Sequence, residues 1–202
     1  VLPQVLPAFH KQCPFIELEI QEETTNQLES RLLSGQLDFA LMHAPKEDSH
    51  PLINYEFLAN DPFVIAMAPD HPLAAQAEEM EGYDHPVLDP RLLRNEPFIM
   101  LHKGQRIRHI TDAILKKARI EPKIALTLRN YETAQALVSQ GLGVTFLPED
   151  YTRIILGENP PAFFSIHKKY DASWDMCIAS RKDGELSRAD EFFLEILKEN
   201  LM

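Results

Sequence analysis

Residues 15–42, FIELEIQEETTNQLESRLLSGQLDFALM, form the stretch that decides the fold class. Its first part, Phe15 to Gln21, alternates apolar and polar side chains, which predicts a half-buried strand. Thr24 or Thr25 then caps a helix that runs through Leu33 and that Gly35 terminates. Leu37 to Met42 predicts a second short strand. A strand, a helix and a strand in this order predict a parallel sheet covered by helices, and therefore an α/β protein.

Outside this stretch the chain continues to alternate predicted helices and strands. Leu2 to Gln12 predicts an amphipathic helix, in which Pro7 indicates a bend or a later start. Residues 74–95 are acidic, contain prolines and have weak periodicity, which predicts a surface excursion with one short helix around 90–94. A second run of α/β units follows, so two similar halves are expected. The remaining predicted elements are strands at 54–58, 62–68, 97–101, 123–128, 144–147, 163–166 and 174–180 and helices at 106–118, 130–140 and 189–201.

Composition restricts the class of protein and its partners. The 202 residues include 31 acidic and 20 basic side chains, a formal net charge of −11. That balance excludes a general nucleic-acid binder, which needs a basic face for backbone phosphates. No apolar stretch is long enough to cross a bilayer, and no signal peptide is visible. Cys13 and Cys177 lie too far apart in sequence to form a disulfide framework, so a cytoplasmic location is expected.

Motifs for catalysis are missing from the sequence. It contains no GxGxxG, no Walker loop and no GxSxG elbow, and only seven glycines. His102 and His109 lack the spacing of metal ligands on a helix, and surface histidines explain them better. Asp70-His71 lies in a turn between prolines, where Asp is expected for backbone hydrogen bonding. We therefore predict no enzyme, no metal and no cofactor.

One basic cluster is distinct in this acidic chain. His102 to Arg108, HKGQRIR, follows a predicted strand and opens a helix. The start of a helix offers free N–H groups and a positive dipole end to an anion. Lys103, Arg106 and Arg108 add positive charge, and Gly104 permits close approach of the backbone. A solvated helix start, or arginines paired with acidic surface residues, explains the cluster equally well.

Three further segments occupy the ends of predicted strands. Asn130 to Thr133 (NYET) begins a helix after a strand, although the capping role of Asn130 is itself a sufficient explanation. Glu22 to Thr25 and Met42 to Pro45 are the corresponding segments in the first half. Ligands of open α/β sheets bind beyond the carboxyl ends of the strands. If the two halves face each other, all of these segments converge on one cleft.

Four segments resemble the effector-binding domain of LysR-type transcriptional regulators. Leu33 to Leu41 is similar to the family's "L..G.LD.A" pattern, and Leu2 to Pro14 to its "LP..L..F...P" opening helix. Asp70 to Ala74 is similar to the "HPLA" element, and Ala136 to Pro148 to "LV..G.G...LP". Each pattern alone is weak. Together they occur in the family's order and spacing and cover nearly the whole chain.

The resemblance implies an α/β fold like that of type-2 periplasmic binding proteins, with two Rossmann-like subdomains joined by two crossover strands. Subdomain I is expected to comprise residues 1–67 and 168–202, and subdomain II residues 68–167. The crossovers are expected near Ala66 to Pro69 and near Ser165 to Lys168. The winged helix-turn-helix that binds DNA is expected to be absent from this chain. So is the family's first strand, with the Ser- or Thr-rich turn that follows it.

The resemblance also implies a small-molecule effector in the cleft between the subdomains, contacted by Gln105 and Arg106 from one side and by Thr24 and His43 from the other. The basic cluster favours an anionic effector such as a carboxylate. The domain is expected to form a homodimer or homotetramer, to reach DNA only through the absent domain and to contact no membrane. The candidate effector-binding residues are Thr24, His43, Lys103, Gly104, Gln105, Arg106, Arg108, Tyr131 and Glu132.

Two other functions use the same fold. A solute-binding protein that serves a transporter is the second hypothesis, and an export signal upstream of Val1 would favour it. An enzyme is the third, which no pair of nucleophile and base or of carboxylates supports. A helix-turn-helix with a basic recognition helix encoded upstream would decide for the regulator.

Overall fold

The computed structural model describes residues 2–43, 49–153 and 159–201, which form a mixed α/β fold. Short 3-10 helical turns lie at Pro72–Gln76, Pro90–Asn95, Glu149–Arg153 and Lys168–Tyr170. The helices are α1 (Leu2–Gln12), α2 (Thr25–Leu33), α3 (Arg106–Ala118), α4 (Tyr131–Ser139) and α5 (Arg188–Leu201). The strands are β1 (Phe39–His43), β2 (Ile53–Met67), β3 (Pro97–Leu101), β4 (Lys123–Leu128), β5 (Thr145–Pro148), β6 (Ala162–Ser165) and β7 (Ser173–Arg181).

The chain forms two compact units. The first comprises Val1–Asn60 and Asp175–Met202, and the second comprises Asp61–Trp174. Strands β2 and β7 each run from one unit into the other. Two units joined by two strands confirm the predicted architecture. The boundaries expected from the sequence, after residues 67 and 167, each lie seven residues from these positions.

The first unit is a helix-covered sheet in which β7 lies between β1 and β2. Strand β1 pairs antiparallel with β7, so that Leu41 is the partner of Ile178. Helices α1 and α5 pack together through apolar side chains, among them Phe9 and Phe193, whose ring centroids are 5.2 Å apart. Helix α1 continues through Pro7 without interruption.

The predicted strand at Phe15 to Gln21 is wrong. This segment forms no strand and belongs to no sheet, and Phe15 is 99% exposed. Alternation of side chains specifies two faces, but a strand also needs a neighbour for its backbone hydrogen bonds. The parallel sheet predicted for the first 42 residues is also wrong, because the described neighbour of β1 is the antiparallel strand β7.

The second unit contains the parallel pair. Strand β3 pairs with β4, and their last residues, Leu101 and Leu128, are partners. The other sheet of this unit places β2 between β5 and β6, both antiparallel to it. The predicted bounds of β3, α3 and β4 are confirmed, and α4 follows its predicted cap at Asn130.

Two predictions for the middle of the chain need correction. The strands predicted at 54–58 and 62–68 are one continuous strand, β2. The excursion at 74–95 does not lie wholly on the surface, because Leu88 and Leu93 are completely buried in the core of the second unit. Asp89 lies between them and caps a short helical turn by accepting a hydrogen bond from the Arg91 N–H. The two buried leucines and this capped turn anchor the segment. In the described ranges, no helix combines the length and apolar character needed to span a membrane.

Candidate functional site

The loop between β3 and α3 folds back on itself before the helix starts. The His102 carbonyl accepts a hydrogen bond of 2.9 Å from the Gln105 N–H. The Gly104 N–H donates to Nδ1 of His102 at 3.4 Å. Lys103 and Gly104 are exposed, while Gln105 and Arg106 are half-buried at the start of α3.

The parallel pairing of β3 and β4 brings a second loop beside the first. The His102 N–H donates to the Leu128 carbonyl at 2.8 Å, and the Gln105 side-chain amide donates to the Arg129 carbonyl at 2.9 Å. Helix α4 starts just beyond, where the side chain of Asn130 accepts from the Thr133 N–H at 2.9 Å. Two helix N-termini therefore lie at the same edge of the sheet.

The basic cluster separates into two parts. The Arg108 side chain is buried, and its guanidinium donates to Asp112 at 2.8 Å and to the Leu101 carbonyl at 3.1 Å. It holds the start of α3 against the end of β3. Lys103 and Arg106 lie nearer the surface. Arg108 is thus paired with an acidic residue, Asp112, an alternative that the sequence left open.

An aromatic pair flanks the start of α4. The rings of Tyr131 and Tyr151 stack with centroids 4.2 Å apart. The Gln135 side chain donates to the Tyr151 carbonyl at 3.3 Å, and this hydrogen bond attaches Tyr151 to α4. Burial raises the pKa of Tyr151 to about 12. Glu132, next to the pair, is exposed.

The sequence did not identify Tyr151, although one signal was available. Tyr151 lies three residues beyond the end of β5, and ligand-binding side chains cluster beyond strand ends. We call the group formed by residues 103–106, 130–132 and Tyr151 the strand-end site.

The two candidates of the first unit lie at the ends of other elements. Thr24 is the N-cap of α2, and the side-chain oxygen of Gln27 accepts from its hydroxyl at 2.6 Å and from its N–H at 3.2 Å. His43 is the last residue of β1 and is half-buried. The neighbouring Ala44 and Pro45 lie outside the described residues. The structure thus groups seven of the nine candidates in the second unit, with Arg108 beneath the strand-end site.

A buried acidic group lies close to Tyr151. Asp61 is 7% exposed and accepts hydrogen bonds from the Trp174 indole at 2.7 Å and from the Asp150 N–H at 3.3 Å. Glu149 lies 3.3 Å from the His85 ring. Burial, and then the charges of neighbouring aspartates, raise the pKa of Glu149 to about 6. Burial also raises the pKa of Asp61. Among the described residues, no three His, Cys, Asp or Glu side chains are arranged to hold a metal ion.

Comparison with known proteins assigns the chain to a family. Residues 1–202 match the LysR substrate binding domain over their whole length. The chain belongs to this family. LysR substrate binding domains have the α/β fold of type-2 periplasmic binding proteins, which confirms the fold expected from the resemblance.

Individual relatives agree with this assignment. The LysR-domain chain is 25% identical to the uncharacterized HTH-type transcriptional regulator YcgK of Bacillus subtilis, over 100% of the chain and 63% of YcgK. Among solved structures, the Synechocystis CcmR regulatory domain in complex with 2-PG superposes with a TM-score of 0.82 at 20% identity, covering 99% of this chain and 90% of that one. The effector binding domain of QuiR in complex with shikimate gives a TM-score of 0.77 at 20% identity, covering 100% and 90%. The chain spans less than two thirds of the curated relative, so the activity of a whole regulator is a separate question.

Proposed function

We propose that this chain is the effector-sensing part of a LysR-type transcriptional regulator and that it binds a small anion, such as a carboxylate, at the strand-end site. The observation that carries the proposal is the meeting of two helix N-termini at one sheet edge. Helices α3 and α4 start side by side there, joined by the hydrogen bond from Gln105 to the Arg129 carbonyl.

The electrostatics of this edge favour an anion. Each helix N-terminus carries the equivalent of about half a positive charge, and this effect is concentrated in the first turn. Lys103 and Arg106 add two full charges at the same place. The chain as a whole has a net charge of −11, so this basic edge differs in sign from the overall charge.

Each residue of the site has a distinct part in the proposal. Arg106 pairs with the carboxylate, because its planar guanidinium can donate two parallel hydrogen bonds. Gln105 holds the two loops together through Arg129. Tyr131, stacked on Tyr151, offers a ring face to the apolar body of the ligand. Arg108 positions α3 and does not reach the ligand.

Thr24 and His43 of the first unit remain candidate ligand contacts in this proposal. The anionic class agrees with the relatives of known structure, since QuiR was solved with shikimate, which is a carboxylic acid, and CcmR with 2-PG. Both proteins share the fold of this chain, and neither identifies its particular effector.

Titration calorimetry with a panel of carboxylic acids that includes shikimate tests the site. We expect at least one acid to bind the wild-type chain and to lose at least tenfold in affinity in the Arg106→Ala variant, because a charge-assisted pair is removed. Lys116→Ala, an exposed change in the last turn of the same helix, serves as the matched control and should bind like the wild type. Equal affinity of Arg106→Ala and the control would remove Arg106 from the site.

The proposal extends to the whole regulator. The chain acts by binding rather than by catalysis, and effector binding changes the relative stability of two states of the protein. DNA contact belongs to a separate helix-turn-helix domain, and the regulator works as a homodimer or homotetramer. Sedimentation equilibrium of the chain tests the assembly, and a monomer at all concentrations would contradict it.

A further inference from the structure

A buried carboxylate lies close to the strand-end site, and the binding of an anion there does not explain it. Asp61, the first residue of the second unit, is only 7% exposed. An aspartate is rarely buried to this extent unless it has partners. None of the ion pairs in the described part of the chain includes Asp61. Its partners are therefore N–H groups, and what those groups belong to indicates its role.

The register of two strands places Asp61 beside the turn that follows β5. Strand β2 pairs antiparallel with β5, and Phe63 is the partner of Pro148. Asp61 precedes Phe63 by two residues and Asp150 follows Pro148 by two residues, so the same register brings Asp61 and Asp150 together. The Asp150 N–H donates to Oδ1 of Asp61 at 3.3 Å. The carboxylate therefore attaches the turn to β2.

Trp174 holds the other oxygen of the Asp61 carboxylate. Its indole N–H donates to Oδ2 at 2.7 Å. The ring packs edge-to-face on Phe63 with centroids 5.0 Å apart, and both rings are buried. A buried indole that is packed in this way and hydrogen-bonded at its N–H has little freedom to move. Each oxygen of Asp61 thus has its own donor, so the direction of the carboxylate towards the turn is fixed.

The turn that Asp61 holds contains a tyrosine of the strand-end site. Tyr151 directly follows Asp150 in the 3-10 helical turn after β5. The completely buried Gln135 side chain donates to the Tyr151 carbonyl at 3.3 Å. One hydrogen bond to β2 and one to α4 therefore attach the turn at adjacent residues. The position of the Tyr151 ring, stacked on Tyr131 at 4.2 Å between centroids, follows from these two attachments.

We propose that Asp61 is a positioning residue of the strand-end site. It holds Tyr151 in the place where the ring stacks on Tyr131, and the site binds its anion more weakly when this attachment is lost. The inference rests on the proposed function, because it gives the tyrosine pair a part in effector binding. Asp61 acts through the Asp150 N–H and does not contact the ligand.

The charge of Asp61 makes the proposal distinguishable from simple electrostatics. A negative charge close to an anion site weakens the binding of the anion by Coulomb repulsion. Removal of the charge alone should therefore strengthen binding. Loss of positioning should weaken it, so the two effects of replacing Asp61 have opposite signs.

Amide hydrogen exchange of the complete chain, followed by NMR without a ligand, tests the attachment of the turn. Asp61→Ala removes the acceptor of the Asp150 N–H, so this amide should exchange faster by about tenfold more than the amide of Ile65. Ile65 is completely buried in β2 and reports any loss of stability of the whole unit. Asp70→Ala, which removes an exposed aspartate of the same unit, is the matched control and should leave exchange at Asp150 unchanged.

Calorimetry with the acid that binds the wild type most tightly tests the effect on the site. We expect Asp61→Ala to bind this acid about tenfold more weakly, and Asp70→Ala to bind it like the wild type. In a Tyr151→Leu background, Asp61→Ala should change the affinity by less than about twofold, because the residue through which Asp61 acts is gone. A role in general stability would weaken binding equally in both backgrounds.

Trp174→Phe is a milder variant that tests the same attachment if Asp61→Ala does not fold. It retains an aromatic ring against Phe63 and the carboxylate of Asp61, but it removes the donor to Oδ2. We expect faster exchange at Asp150 and weaker binding of the acid, each by about threefold.

Three results would overturn the proposal. The first is exchange at Asp150 that Asp61→Ala accelerates no more than Asp70→Ala does. The second is binding of the acid by Asp61→Ala that equals or exceeds binding by the wild type. The third is a loss of affinity of the same size with and without Tyr151. Failure of every acid to bind the wild type would instead contradict the proposed function, and exchange at Asp150 would still decide whether Asp61 holds the turn.

Discussion

Arg108 shows that a residue of a basic cluster can serve the fold instead of the ligand. Its guanidinium is buried between β3 and α3, where Asp112 and the Leu101 carbonyl both accept from it. The sequence indicated the positive charge of this side chain but not its direction, because direction depends on which face of α3 meets the sheet. Lys103, two positions beyond β3, remains exposed.

Replacing Arg108 should therefore reduce stability more than it changes ligand binding. We expect Arg108→Met to lower the free energy of unfolding by about 2–3 kcal/mol, because the buried Leu101 carbonyl loses its side-chain donor and Asp112 loses its partner. Lys103→Met, the matched exposed change, should stay within about 0.5 kcal/mol of the wild type. Urea denaturation of the two variants measures the difference, and equal values would contradict a structural role for Arg108.

Glu149 makes stability depend on pH. Its pKa is about 6 in the folded protein and 4.5 in the unfolded chain, so the folded state binds the proton more tightly. The stabilisation is fully present below pH 4.5 and is lost as the pH rises through 6. The full loss is about 2 kcal/mol for a shift of this size.

The Glu149→Gln variant should lack this part of the pH dependence. We expect the difference in free energy of unfolding between wild type and variant to change by about 1–2 kcal/mol between pH 4 and pH 7, in favour of the variant at the higher pH. Urea denaturation at both pH values measures it. A difference that does not vary with pH would show that burial does not raise this pKa.

At the scale of elements, the sequence predicted correctly the features that depend on residues close together in the chain, such as helix bounds and helix caps. The bounds of α3 and β4 are those of the apolar periodicity, and Asn130 caps α4 as its side chain suggests. The strand predicted at Phe15 to Gln21 is not formed. A strand needs a neighbouring strand for its backbone hydrogen bonds, and the alternating pattern of a segment does not show whether such a neighbour exists. The surface excursion predicted at 74–95 is incorrect for the opposite reason. Leu88 and Leu93 are buried, but two leucines within a polar stretch produce little periodicity.

Gly143, within the motif at Ala136 to Pro148, lies where two segments pack closely, which the motif alone does not reveal. Its φ is 153°, and a Cβ at this position would lie 2.5 Å from the Pro97 carbonyl oxygen. That carbonyl accepts from the Val144 N–H at 2.9 Å, a bond that joins the start of β3 to the residue before β5. A side chain here would push the two segments apart.

Gly143→Ala should accordingly destabilise the second unit by about 3 kcal/mol or more, through steric overlap added to the backbone cost. Gly82→Ala is the matched control, because Gly82 also has positive φ, 84°, but has nothing within 4 Å of the added Cβ. It should cost only about 1 kcal/mol. Thermal unfolding of both variants separates the two contributions, and equal losses would mean that contact with Pro97 is relieved without cost.

At the scale of the whole molecule, the distribution of charge links sequence to function. The excess of acidic residues was predicted to exclude general binding of nucleic acid, and the same excess makes the strand-end site a local exception. The sequence placed Gln105, Arg106 and Tyr131 correctly beyond strands, because strand ends can be located from periodicity. The position of Tyr151 beyond β5 was a signal in the sequence, but its stacking on Tyr131 was not, since that contact joins residues twenty positions apart.

The strand-end site is proposed to recognise the negative charge of a small ligand. Calorimetry of the acid that binds most tightly, beside its own methyl ester, tests this claim directly, because the two differ in charge and hardly in shape. We predict that the ester binds at least tenfold more weakly to the wild type, and that Arg106→Ala reduces the difference between acid and ester to less than threefold. Equal affinity of the wild type for acid and ester would contradict the claim.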